Sequence, residues 1–226
     1  MDLQPIAQNL LYGLFLGGLY GMAAVGLSLV FGVLKVLNVA HGALLMLGGY
    51  VAFWLFDSYG IDPLLAIPLV AAMLFAVGLG LHVGLFQFVT HLQEEARIKN
   101  SLLIAFGLTL ILENLALRLW TADERAVTTS YAGEGFKLAG VAGTLVTLVD
   151  TIAPSVGLEW TLKALVVVVL AGLGSILGAF GAGLLLGEAE AVSIYIFDSS
   201  NYREIVGLIL FLIVLLLRPQ GLFGRR

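Results

Sequence analysis

From Leu10 to Leu34 the chain has no charged residue and almost no polar one. A helix needs about 20 apolar residues to cross ~30 Å of hydrocarbon, and this run is longer than that. Similar runs recur along the chain. The second spans Asn38 to Phe56 and stops at "DSYGIDP". A third opens at Asp62-Pro63, an N-cap residue followed by a proline suited to the first helical position, and closes near Val89. "HLQEEARIKN" reads as a polar loop, and a fourth run follows from Ser101 to Trp120. After a hydrophilic stretch, Thr121 to Lys137, comes a shorter apolar piece, Leu138 to Ala153. Leu165 to Gly187 is then interrupted by "GLGSILG", and the last run, Ile205 to Leu217, ends at "RPQGLFGRR". Only helices and closed barrels satisfy their backbones inside lipid. These runs are too long for barrel strands and do not alternate. The expected fold is all-α: a polytopic transmembrane helical bundle with a broken or re-entrant glycine-rich segment.

Composition agrees. The chain is 60% hydrophobic and 12% charged, against about 45–50% and about a quarter in soluble domains. A water-soluble core of this size could not hide so much apolar surface, so the lipid bilayer is its first partner. Cysteine is absent, which excludes disulfides and thiolate chemistry. The net charge of −4 is scattered and offers nucleic acid no basic patch. "MDLQPIAQNLLYG" has no basic region and does not read as a cleaved signal peptide. Lys35, Arg97, Lys99, Arg218, Arg225 and Arg226 mark one side of the membrane, and the N-terminal tail and "DSYGIDP" the other. The positive-inside rule then places the N-terminus outside and the C-terminus in the cytoplasm.

The few polar residues inside the runs are the candidate sites. Asn38 and His41 are three apart, close to one face of a helix. Polar groups at that depth need partners or water. They either line a route for a polar solute beside a broken helix or make a structural bond between helices. Glu113 lies inside the fourth run. It should face protein or water, as one of a buried pair, a neutral acid or part of a route. Gly13, Gly17 and Gly21 share a helix face, a spacing that lets backbones approach closely in lipid. "GLGSILG" lacks the Lys-Ser/Thr pair of a nucleotide loop and reads as a helix break. His82 and His91 have no metal-ligand spacing, and no nucleophile–base set appears. The expectation is therefore no enzyme, catalytic residue, metal or cofactor.

In combination, these segments resemble a known family. "NVAHGALLMLGGYVA" is similar to its Asn-Phe-Ala-His-Gly segment, with Val39 in place of Phe. "LKALVVVVLAGLGSILGAFGAGLLLGEAEA" resembles its glycine-rich penultimate region, and "LLLRPQGLFG" its terminal signature. "GLYGMAAVGLSLVFGVLKVLN" and "LIAFGLTLILENLALRLW" follow in the expected order. The family is the inner-membrane permease of branched-chain amino acid ABC transporters. The resemblance implies a second permease subunit, two cytoplasmic ATPase subunits and an extracytoplasmic solute-binding protein. It offers Asn38, His41 and Gly42 as the segment near the pathway and implies no catalytic residue.

The whole chain, 1–226, reads as a single permease domain. It departs from the family between Gly140 and Val141, where members carry a further pair of helices and a basic cytoplasmic coupling loop. Here "FKLAG" runs straight into "VAGTLVTLVD". The 16 residues from Leu138 to Ala153 would reach only ~24 Å as a helix, which favours a shallow or re-entrant piece. The alternative to a working permease is an internally deleted, transport-incompetent membrane protein that keeps part of the fold.

Overall fold

A computed structural model describes residues 3–125, 153–197, 199 and 202–224. Helix α1 spans Leu3–Leu34, α2 His41–Tyr59 and α3 Pro63–Leu81. A π-helical turn, His82–Phe86, carries α3 into the short α4, Gln87–Thr90. Helix α5 spans Glu94–Trp120, α6 Val156–Ala171, α7 Ile176–Phe197 and α8 Tyr202–Leu217. The 138–153 piece (all but its last residue), the Gly140 junction, Asp150, Arg225 and Arg226 lie outside the described residues.

The helices cover most of the apolar runs but extend beyond them: α1 begins at Leu3, not Leu10, α6 at Val156, not Leu165, and α7 continues past Gly187 to Phe197. Helix α5 begins at Glu94, not Ser101, so much of "HLQEEARIKN" is helical. Glu94 and Glu95 sit in its first turn, where carboxylates complement the helix dipole. Glu95 also pairs with Lys99 one turn on, at 2.5 Å, a contact worth a few tenths of a kcal/mol, about 0.2–0.5. Helix α2 begins at His41, not Asn38. Asn38 therefore shares no helix face with His41. Pro63 does take the first position of α3.

The described residues form two compact units. The first holds 3–33, 162–197, 199 and 202–224; the second holds 34–125 and 153–161. Among the described residues, four helical stretches are long and apolar enough to cross a membrane: Ile6–Leu34, Leu65–Thr90, Glu94–Trp120 and Ile176–Phe197. They differ in what covers them. Half of the α1 window is buried by protein, against 6% of the Leu65–Thr90 window. The apolar side chains of Leu65–Thr90 that protein leaves bare therefore face lipid or another subunit.

In the first unit, α1 and α7 pack antiparallel along a seam of glycines. A β-carbon on Gly17 would sit 2.7 Å from the Leu184 Cα, and one on Gly21 2.9 Å from the Phe180 ring. One on Gly13 would lie 2.8 Å from the Ala191 Cβ. From the other side, Gly183 and Gly187 press on the backbones of Gly21 and Gly17. Lipid gives helices no hydrophobic reason to associate, so this close van der Waals approach holds the pair together. Helices α6 and α7 are joined by a turn at Gly172, whose φ is 99°, a left-handed conformation that glycine adopts without strain. The tail after α8 folds back onto this turn. Leu222 N–H donates to Leu170 O at 2.7 Å and Phe223 N–H to Ala171 O at 2.9 Å. Those carbonyls belong to the last turn of α6, where no intrahelical N–H remains to donate to them. The terminal "RPQGLFG" is thus a cap for α6, placed at the same end of the unit as Gly32 of α1, which meets Gly174.

Candidate functional site

In the second unit the chain is non-helical from Lys35 to Ala40, and each part of this break is held by a named group. Lys35 has φ 54°, an unusual conformation for a residue with a β-carbon. Upstream, the Leu34 carbonyl accepts from Arg97 Nη1 at 3.1 Å, while Nη2 of the same guanidinium donates to Leu92 O at 2.9 Å. Leu37 N–H donates to Ser101 Oγ at 3.1 Å. Asn38 turns on itself: its Oδ1 accepts from Ala40 N–H at 3.1 Å, and its carbonyl from His41 N–H at 3.3 Å. Asparagine makes such turns readily because its side chain imitates a backbone acceptor. The Asn38 amide nitrogen donates to no described residue.

Thr161, fully buried on α6, closes the break from the other side. Its hydroxyl accepts from Gly42 N–H at 2.9 Å and donates to Val39 O or Gly157 O, both at 2.9 Å. The Gly42 N–H is one of the orphan donors at the start of α2, so Thr161 serves as a cap supplied from another helix. Gly42 itself has no room for a side chain. A β-carbon there would overlap Gly157 O and the Thr161 hydroxyl. His41, half-buried, opens α2 beside this contact. The structure therefore brings Asn38, His41 and Gly42 together at one pinned helix break. Glu113 lies elsewhere, on α5 toward its Trp120 end, with a buried Oε1 that has no hydrogen-bond partner.

The first unit holds a charged network that sequence reading missed. Glu190 on α7 is fully buried. Its Oε1 accepts from Lys163 Nζ of α6 at 2.5 Å, and its Oε2 lies 3.1 Å from Arg203 Nε of α8. Tyr20 OH of α1 donates to Glu190 Oε2 at 2.9 Å and accepts from Arg203 Nη2 at 3.0 Å. One carboxylate thus ties four helices. A buried carboxylate persists only when paired and hydrogen-bonded in this way. Gly207 of α8 lies against it: a β-carbon there would sit 2.9 Å from Glu190 Oε1. Lys163 and Tyr20 lie 27 and 170 residues from Glu190 in sequence, so no local motif announces the cluster. The available signal was the "GEAEA" pair of acids inside an apolar run. Among the described residues no group of three or more His, Asp or Glu is placed to hold a metal ion.

Long apolar helices, a paired buried carboxylate cluster around Glu190 and a pinned helix break define an integral membrane protein. The chain belongs to the permease components of branched-chain amino acid transport systems, whose family pattern matches residues 9–131 and 123–215. This is a family of transport permeases, not of enzymes. The chain is 25% identical to the high-affinity branched-chain amino acid transport system permease protein BraD of Pseudomonas aeruginosa, over 96% of this chain and 95% of that protein. It is 24% identical to the corresponding protein LivH of Salmonella typhimurium and 25% to LivH of Escherichia coli, with the same coverage. No solved structure matches it significantly.

Proposed function

We propose that the chain is one of two permease subunits of an ABC importer for branched-chain amino acids in the inner membrane. The second permease, two cytoplasmic ATPases and an extracytoplasmic binding protein complete the assembly. The chain binds no nucleotide; ATP closes the ATPases beneath the permeases and alternates access to a path between them. The observation that carries this reading is the family match along nearly the whole chain, to relatives named for branched-chain amino acid transport. The pinned break at Asn38, His41 and Gly42 supports a place for the route. Non-helical backbone at membrane depth is tolerated where protein buries it or where it lines a wet cavity, and broken helices recur at transporter sites.

An internal shortening belongs to the same proposal. The alignment to BraD runs over 295 positions, 69 more than the 226 residues of this chain. The two stretches matching the family overlap at 123–131. Both support the loss of a helical pair and its coupling loop, read from the sequence between Gly140 and Val141. The test is accumulation of labelled L-leucine by vesicles holding all five components with ATP on the ATPase side. Uptake should require this chain. Vesicles that accumulate no more leucine with it than without it would overturn the reading.

A further inference from the structure

In the second unit, the corner that leads into α5 is tied to the break between α1 and α2. Arg97 and Ser101 stand at i and i+4 on α5, so they share a face of that helix. Both bond the break. Arg97 Nη1 donates to Leu34 O at 3.1 Å, and Leu37 N–H donates to Ser101 Oγ at 3.1 Å. Ser101 is fully buried, and its hydroxyl donates in turn to Ile98 O at 3.0 Å. The other edge of the Arg97 guanidinium, Nε and Nη2, grips Leu92 O in the corner at 3.3 and 2.9 Å. Among the described residues no carboxylate lies within ion-pair distance of Arg97. Its charge is spent on main-chain carbonyls. Leu34 closes α1, so its carbonyl is one of the acceptors a helix end leaves free, where a cation is favoured. One planar cation therefore spans corner and break.

The two ends of this tie differ in exposure. His91 to Glu95 are all exposed, whereas Val36 and Ala40 in the break are buried. Between the two anchored residues, Leu34 and Leu37, Lys35 holds φ 54°. A residue with a β-carbon keeps that conformation only where its surroundings impose it. We propose that Arg97 and Ser101 form a latch. They hold the break closed, and displacement of the exposed corner frees Leu34 and Leu37 together and opens it. Arg97 is then a positioning residue, acting through the backbone of the break. Its part in transport rests on the route proposed above; the latch itself does not.

The test uses the absence of cysteine from the chain. Val36→Cys puts one thiol in the break, and Ala105→Cys puts one at a buried position farther along α5. The rate of N-ethylmaleimide addition to the purified full chain in micelles reads each. Val36→Cys should react slowly. Adding Arg97→Ala or Ser101→Ala should raise its rate about tenfold, the effect of losing one hydrogen bond that closes a local opening. Ala105→Cys should stay protected. Lys99→Ala, which removes only an exposed pair with Glu95, should change neither rate. Two glycines inserted after Leu92 displace the corner without touching α5 and should raise the Val36→Cys rate as the latch variants do. In the five-component vesicles, Arg97→Ala should lower the maximal leucine rate about tenfold and leave the half-saturating concentration unchanged.

An unchanged Val36→Cys rate in both latch variants would overturn the latch. An equal rise at Ala105→Cys would show general loosening and overturn it as well. No response to the glycine insertion would overturn the tie to the corner. A released break with an unchanged maximal uptake rate would overturn the latch's part in transport. Wild-type vesicles that take up no leucine would count against the transport reading alone, because the thiol rates need no transport.

Discussion

Two residues carry far more of the structure than their neighbours. Thr161 supplies the hydroxyl that satisfies the start of α2. Thr161→Val keeps the shape but leaves the Gly42 N–H buried without an acceptor, which costs about 1–3 kcal/mol. The expected result is a lower thermal midpoint for the purified protein in detergent, and an unchanged midpoint would contradict the cap. Glu190→Gln removes the charge that Lys163 and Arg203 share. Breaking a buried pair by losing one partner costs about 3–5 kcal/mol, so this variant should be the least stable of the single substitutions considered. The two sites differ in how visible they were. Asn38, His41 and Gly42 lie within five residues of one another, and the polar Asn38 and His41 inside an apolar run marked the segment. Thr161 and Glu190 became partners only through packing, across 119 and 170 residues. Periodicity put Asn38 on a helix face, whereas the chain there is not helical and its side chain bonds the Ala40 N–H.

At the level of elements, the contact between α1 and α7 makes a sharp prediction because α1 has an internal control. Gly17 faces α7 with no space for a β-carbon, while Gly18 has nothing within 4 Å. Gly17→Leu should therefore lower the thermal midpoint in detergent, by overpacking that costs about 1–3 kcal/mol or more, and Gly18→Leu should leave it nearly unchanged. Equal effects would mean that the seam is not what holds these helices. The four-residue spacing of Gly13, Gly17 and Gly21 is local, which made the stripe readable. Which helix it met was not readable, because Gly183 and Gly187 could have matched any small-residue face. The start of α5 escaped for another reason. Charge density in "HLQEEARIKN" masks a helical spacing, Glu95 to Lys99, that only a pair-by-pair reading brings out.

For the whole molecule, the apolar runs alone established a helical membrane protein, since no other arrangement covers so much hydrocarbon-like surface. They did not establish a path, because a path depends on which polar groups the helices bring to water. The chain should remain with the membrane through alkaline or high-salt washes and leave it only in detergent. Release by salt would show that it lies on the surface and does not cross. The transport account turns on the break between α1 and α2. Its most direct test is the initial rate of labelled L-leucine uptake by five-component vesicles carrying Asn38→Ala with His41→Ala, normalised to the amount of chain inserted. The account predicts a fall of about tenfold or more, equivalent to ~1.4 kcal/mol on the barrier, with helical content unchanged. A double variant that transports at the wild-type rate would contradict it.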